Sequence, residues 1–262
     1  MDWLLFILAG AFAGVMSGLL GIGGGMVIVP TLNVIFSSHM HLADQIVMHL
    51  ASGTALCIMI FTSMTSVYAH RANACNARAY FREIVLFLVV GIVCGALLAD
   101  LLSTETLRQI FGFFILLIAF EMQFGRLVSK SRIRVSKNVD GVIIAGIGMM
   151  SGMLGIGGAV LLIPYLSRRR MTLRKITKIS ALCSLTAGIV GTFAVMLTGL
   201  NHTYGHEPWS IGYVYLPAVL FAVVPSMIMA KFSASRARYV SIRYLRLFFV
   251  LFLVATSLRM IW

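Results

Sequence analysis

Uncharged stretches dominate the chain. Trp3–Phe36, Ile46–Ala69, Ile84–Ala99, Ile110–Phe120, Gly141–Leu166, Ile179–Leu200, Ile211–Ala230 and Leu247–Leu258 contain no Asp, Glu, Lys or Arg. Several exceed the ~18 residues that mark a membrane-crossing helix, and the shorter ones gain length from amphipathic flanks. Of the 262 residues, 60% are hydrophobic and 11% charged, too few polar groups to cover a soluble surface. The pattern predicts an all-α polytopic membrane protein.

Two of these runs are interrupted by glycine. "SGLLGIGGGMVIVP" covers Ser17–Pro30 and "SGMLGIGGAVLLIP" covers Ser151–Pro164. A single offset relates them: Ser17, Gly18, Leu20, Gly21, Ile22, Gly23, Gly24 and Pro30 match Ser151, Gly152, Leu154, Gly155, Ile156, Gly157, Gly158 and Pro164. Ala11, Gly14 and Met16 likewise match Ala145, Gly148 and Met150. Each glycine segment precedes three further uncharged runs. The chain divides into a first membrane repeat (1–126), a basic cytoplasmic linker (127–138) and a second membrane repeat (139–262). Halves of this kind are typical of secondary transporters.

Charge then constrains the topology. The connections at 70–83, 126–137, 167–178 and 231–246 hold 19 of the 21 Lys and Arg, leaving Arg108 and Arg259 elsewhere. The connections at 37–45, 100–109 and 201–210 carry Asp44, Asp100, Glu105 and Glu207 instead. Basic loops stay in the cytoplasm. If all eight runs crossed, the loops at 126–137 and 167–178 would fall on opposite sides. A segment that enters at 141, turns at Gly155–Gly158 and returns keeps every basic loop on one side. The repeat extends the same reading to 3–36. The expected fold is two inverted-topology repeats, each a glycine-broken, re-entrant helical hairpin plus three transmembrane helices, with both termini outside the cytoplasm. The opening "MDWLLFILAG" has no basic n-region or small-residue cleavage site, so it is expected to be retained.

Irregular backbone at membrane depth is tolerated only where it lines a cavity or is buried in protein. Each break leaves the amide end of a half-helix with unpaired N–H groups and roughly +0.5 charge, which attracts anions. The candidate substrate-binding residues are therefore Gly21, Gly23, Gly24 and Gly25 with Ser17, and Gly155, Gly157 and Gly158 with Ser151. The following run of each half adds hydroxyls, Ser52 and Thr54 in one and Ser180 and Ser184 in the other, of which Thr54 and Ser184 are favoured. Close packing of small residues is the competing explanation for the glycines. Duplication, excess length and charge parity weigh against it.

The doubled "GxGGG…P" and "GxGG…P" segments, with "ASGTAL" at 51–56 and "YAHR" at 68–71, resemble the sulfite exporter TauE/SafE family, also called toluene sulfonate uptake permeases. The resemblance spans nearly the whole chain. It implies a secondary transporter of small sulfur-containing anions such as sulfite, sulfoacetate or organosulfonates, working by alternating access in the bacterial inner membrane. Ala55 stands where the family's serine is expected, and the second half reads "ALCSL". An anion channel, or a carrier of small carboxylates, is the alternative.

His49, one turn inside its run, is a candidate for a coupling proton step or for substrate access, against an interfacial role. His70 and Arg71, at the cytoplasmic end of the same run, are further access candidates. Coupling to H⁺ or to Na⁺ and a homodimer all stay open. Cys57, Cys75, Cys94 and Cys183 show no metal or CxxC spacing, and no cofactor motif is present. The net charge of +13 follows from membrane orientation, so no nucleic-acid partner is implied. Without an HExxH motif, paired acids or a Ser–His pair at good spacing, an enzyme is not expected.

Overall fold

A computed structural model describes residues 2–20, 24–38, 40, 45–69, 77–124, 137–169, 171–200, 209–236 and 242–261. Among the described residues ten helices follow one another: α1 (Asp2–Leu20), α2 (Gly25–Ser38), α3 (Val47–Ala69), α4 (Ala77–Leu101), α5 (Thr104–Phe124), α6 (Lys137–Leu154), α7 (Ala159–Arg168), α8 (Leu173–Leu200), α9 (Leu216–Arg236) and α10 (Ile242–Ile261). A two-stranded antiparallel hairpin, β1 (Ser210–Ile211) and β2 (Val214–Tyr215), lies before α9. The chain breaks between α6 and α7 at Gly155–Gly158, where the sequence places the turn.

Among the described residues, the stretches Val47–Tyr68, Ala77–Leu101, Lys175–Leu200 and Leu216–Ser233 are long and apolar enough to cross a membrane. α5 and α10 have 21 and 20 residues and carry charged residues near their ends. Several helices overrun the uncharged runs. α4 begins at Ala77 and takes in Arg78, Arg82 and Glu83, because long charged side chains at a helix end can reach the interface without breaking the backbone ladder. The run Ile211–Ala230 departs from expectation: its first five residues form most of the β-hairpin, and the helix starts only at Leu216. Pro217 therefore occupies the first turn of α9, where its missing N–H costs nothing, while Pro225 lies inside the helix.

Small residues decide which helices touch. A Cβ on Gly10 or Gly14 of α1 would lie 2.7 Å from Ala222 Cα and 2.8 Å from Ser226 Cα of α9. One on Gly18 would lie 3.0 Å from the Ala230 carbonyl carbon. Residue numbers rise together, so α1 and α9 run parallel. The same holds for α4 and α6, where Gly91 and Gly95 lie against Ala145 and Met149, and Gly148 and Gly152 against Leu88 and Ile92. Gly14/Gly148 and Gly18/Gly152 are repeat mates, so equivalent glycines make equivalent crossings. Backbones this close gain dispersion contact that bulkier residues forbid, which drives association where lipid removes the hydrophobic term. α3 and α8 run antiparallel, with Gly188 against Ile60 and Gly191 against Leu56.

Both glycine-broken pairs double back. Phe6 near the start of α1 meets Phe36 near the end of α2, with ring centroids 6.1 Å apart. Asp140 near the start of α6 pairs with Arg169 just beyond α7, Nη1 to Oδ2 at 2.8 Å. Two apolar clusters result. One joins α1, α2, α3, α5, α9 and α10 and takes in Ala99 of α4, Met153 and Leu154 of α6 and Val160 of α7; the other joins the rest of α4, α6 and α7 to α8 and to Leu56 and Met59 of α3. Each packed unit thus contains helices from both sequence halves. Leu86, Val90, Leu97 and Leu101 of α4 stay exposed along one side, as a lipid-facing helix requires.

Candidate functional site

The second break is built by glycines that a side chain could not replace. Gly155 has φ +70° and Gly157 φ +75°, the left-handed region that L-residues avoid. The Gly155 amide still closes the last turn of α6 on the Ser151 carbonyl at 3.0 Å. α7 then starts at Ala159 with Gly158 as its N-cap, and among the described residues no side chain caps its first amides. Those N–H groups need an acceptor from outside the helix.

The first break meets the second. Gly24 has φ +60°, and its carbonyl accepts from Val27 and Ile28 at 3.0 Å each, opening α2. A Cβ on Gly25 would lie 2.6 Å from the Gly155 carbonyl oxygen and 2.9 Å from that of Ile156. The two turns are in direct backbone contact.

α3 and α8 wall this junction. Gly155 lies on the backbone of Ser52, 2.7 Å from its oxygen to the Cβ position. Gly157 faces the Met59 sulfur and, at 3.5 Å from its Cβ position, the Ser184 hydroxyl. Gly24 faces Ser17 and the Thr62 hydroxyl, 3.7 and 3.8 Å from its Cβ position. A cavity of about 10 Å³, lined by Met16, Ser17, Gly24, Met26, Val27 and Phe249, lies beside the first turn. It has room for about one water, so a larger occupant requires the flexible methionines to move.

The hydroxyls fall into two groups. Most donate to their own preceding turn: Ser52 to the His49 carbonyl, Thr62 to that of Met59, Thr186 to that of Leu182. Ser151, Ser180 and Ser184 do not. Each is at most 2% exposed, and its oxygen has no hydrogen-bond partner among the described residues. The Ser63 and Thr192 hydroxyls also have no hydrogen-bond partner among the described residues. A buried hydroxyl without a partner costs about 1–3 kcal/mol, so these positions call for a function.

The other sequence candidates are placed as follows. Gly21, Gly23, His70 and Arg71 lie outside the described residues. The Thr54 hydroxyl accepts from the Tyr215 amide at 3.0 Å, tying α3 to β2 rather than facing the turns. His49 is 7% exposed. Its Nε2 lies 2.9 Å from the Ala99 carbonyl, which can only accept, so Nε2 carries a proton. Its Nδ1 lies 3.1 Å from Thr104 Oγ1, and the ring rests against Tyr213 at 5.1 Å. Tyr213 donates to Asp100 at 3.0 Å; burial first, and then that carboxylate, raise its phenol well above the ordinary tyrosine value and keep it a donor.

Sequence reasoning missed Met59 and Thr62, which face the turns, and the group that holds the base of the second hairpin. There Asp140, 8% exposed, accepts from the Tyr80 hydroxyl at 3.1 Å, from the Tyr165 hydroxyl and from Arg169. The guanidinium also sits over the Tyr80 and Tyr165 rings, 5.9 and 5.5 Å from their centroids. The available signal was a lone acid at the edge of an uncharged run whose far end reads Arg168, Arg169, Arg170.

The model of the sulfite exporter TauE/SafE family matches residues 6–260. The chain belongs to that family. It is similar to a probable membrane transporter protein of Haemophilus influenzae, 30% identical over 98% of this chain and 97% of the relative. It is similar also to one of Methanocaldococcus jannaschii, 28% identical over 93% and 89%. A third, of Bacillus subtilis, is 24% identical over 84% and 86%. No solved structure matches. This TauE/SafE member is a multi-pass membrane protein of a transporter family, and its chemistry is transport rather than catalysis.

Proposed function

We propose that the protein is a secondary carrier of small sulfur-containing anions, such as sulfite, sulfoacetate or an organosulfonate, exporting them across the bacterial inner membrane by alternating access. The observation that carries this reading is the backbone contact of the two glycine turns beside the unpartnered Ser151 and Ser184 hydroxyls. An oxyanion at that junction accepts from the first amides of α7 and from those hydroxyls, with Gly24, Gly157 and Gly158 leaving the backbone without side chains. No named neighbour of the turns is ionisable. Binding by dipoles alone is modest, which suits a carrier that must release its cargo.

The helix directions support two inverted repeats. With the basic loops in the cytoplasm, parallel α1/α9 and α4/α6 bring the first hairpin in from outside and the second from the cytoplasm. Two re-entrant tips then touch within the bilayer. Movement of the surrounding helices about this contact changes which side has access to it.

Thermal stabilisation of purified protein tests the reading against sulfite, sulfoacetate, taurine, aromatic sulfonates, sulfate and simple carboxylates. A rise in Tm with a sulfur oxyanion, lost in Gly158→Trp, is the expected result. A response confined to carboxylates moves the substrate class, and no response to any anion overturns the central site. Ser151→Ala combined with Ser184→Ala sharpens the test. Removing two unpartnered buried hydroxyls is expected to leave the ligand-free Tm unchanged or raised. Anion stabilisation should nevertheless fall, since two donors to a charged group are lost. A lowered ligand-free Tm with intact anion response would make both serines structural.

A further inference from the structure

A second site lies at the other end of the bundle. A pocket of about 260 Å³ is lined by Asn33, Ser37, Val47, Thr104, Glu105 and Arg108. It sits about 28 Å from the Asp140 group, measured along α4 from Tyr80 to Ala99 at ~1.5 Å per residue. Ala99 marks that end, because its carbonyl holds His49, which in turn touches Thr104.

The polar groups here are unevenly satisfied. The Glu105 carboxylate is engaged, accepting from Arg108 Nη2 at 3.0 Å and from Gln109 Nε2 at 3.3 Å. What remains is donor capacity. Arg108 Nε is buried and has no partner among the described residues. Asn33 is 8% exposed, lines the pocket, and has no hydrogen-bond partner among the described residues. α3 and α5, of 23 and 21 residues, both begin at this pocket and turn the positive ends of their dipoles toward it. Arg108 is, with Arg259, one of two basic residues outside the four basic connections. Orientation in the membrane therefore does not account for it.

We propose that this pocket is a second oxyanion-binding site, with the Arg108 guanidinium and the Asn33 amide as its donors. Glu105 lowers the local charge and keeps binding weak, so the anion stays exchangeable. The occupant is a small, partly hydrated oxyanion of sulfonate or sulfate type. Its service as a waiting position for transported anion rests on the carrier reading above; anion binding itself does not.

The test uses the full chain in vesicles, with native cysteines replaced and Ser37→Cys as reporter on the pocket wall. Methanesulfonate is expected to slow modification of that thiol by a neutral thiol reagent. Arg108→Gln or Asn33→Ala should weaken this protection about tenfold, as loss of a donor to a charged acceptor implies. Asn33→Ala leaves the Arg108–Glu105 pair intact and so keeps the test open if Arg108→Gln fails to insert. Glu105→Gln should strengthen protection, because it removes the competing negative charge. Gly158→Trp, aimed at the central site, should leave it unchanged. Absent protection, protection that survives Arg108→Gln and Asn33→Ala, or protection abolished by Gly158→Trp overturns the proposal. Central-site stabilisation without outer protection leaves the carrier reading standing alone.

Discussion

Gly155→Ala is expected to remove most folded protein from the membrane, whereas Gly158→Ala leaves it in place. The two glycines lie three residues apart in one turn, yet their backbones differ. Gly155 has φ +70°, and imposing that conformation on an L-residue costs about 1–2 kcal/mol. The added Cβ would also sit 2.7 Å from the Ser52 oxygen and 3.0 Å from its Cα. Those are backbone atoms of a packed helix and cannot swing aside, which adds about 1–3 kcal/mol. Gly158 has φ −59° and ψ −13°, and the nearest atoms to its Cβ position are side-chain carbons at 3.8 and 3.9 Å. Detergent-extracted yield and Tm of the two variants separate the cases. Equal behaviour would mean that the contact between the second turn and α3 is not what holds this break.

Asp140→Ala carries the second large effect. Its carboxylate and the Arg169 guanidinium are 11% and 18% exposed, so the pair is mostly withdrawn from water. Removing one partner leaves a buried cation with two phenols and no counter-charge, a loss of about 3–5 kcal/mol. The hairpin of α6 and α7 should then open at its base. An engineered cysteine at Ser167, in the last turn of α7, would become more reactive from the basic side. Tyr80→Phe removes one hydroxyl donor and leaves the ion pair, so its cost is about 1 kcal/mol. If Asp140→Ala and Tyr80→Phe lower the Tm equally, the charge pair contributes nothing beyond a hydrogen bond.

Much of the broken-helix organisation was legible in the residues. Glycine runs inside uncharged stretches announce a backbone that cannot stay helical, and their repetition locates both breaks. Basic residues concentrated in four connections set the expectation of sidedness. The hydroxyls were harder. Ser151 precedes the second break by one turn and Ser184 lies in the run that follows it, and neither hydroxyl has a partner among the described residues. The sequence favours Thr54 over Ser52, but periodicity in an all-apolar helix does not say which side faces which neighbour. In the structure Thr54 serves the β-hairpin, while Ser52, Met59 and Thr62 face the turns. That hairpin was itself hidden, since Ile211–Tyr215 reads as the start of an apolar run.

By itself, then, the sequence determined the class of protein, the positions of the two glycine breaks and the repeat of their residues. All of these follow from local chemistry: hydropathy, backbone freedom and charge. Tertiary structure decided which helices became neighbours. α1 chose α9 and α4 chose α6, across the halves, because small residues at matching heights let those backbones touch. It also brought Asp140 to Arg169 and Arg108 to Asn33, residues far apart along the chain. In lipid every helix surface is apolar, so apolar pattern cannot select a partner; surface shape and the few polar groups that must be satisfied make that selection.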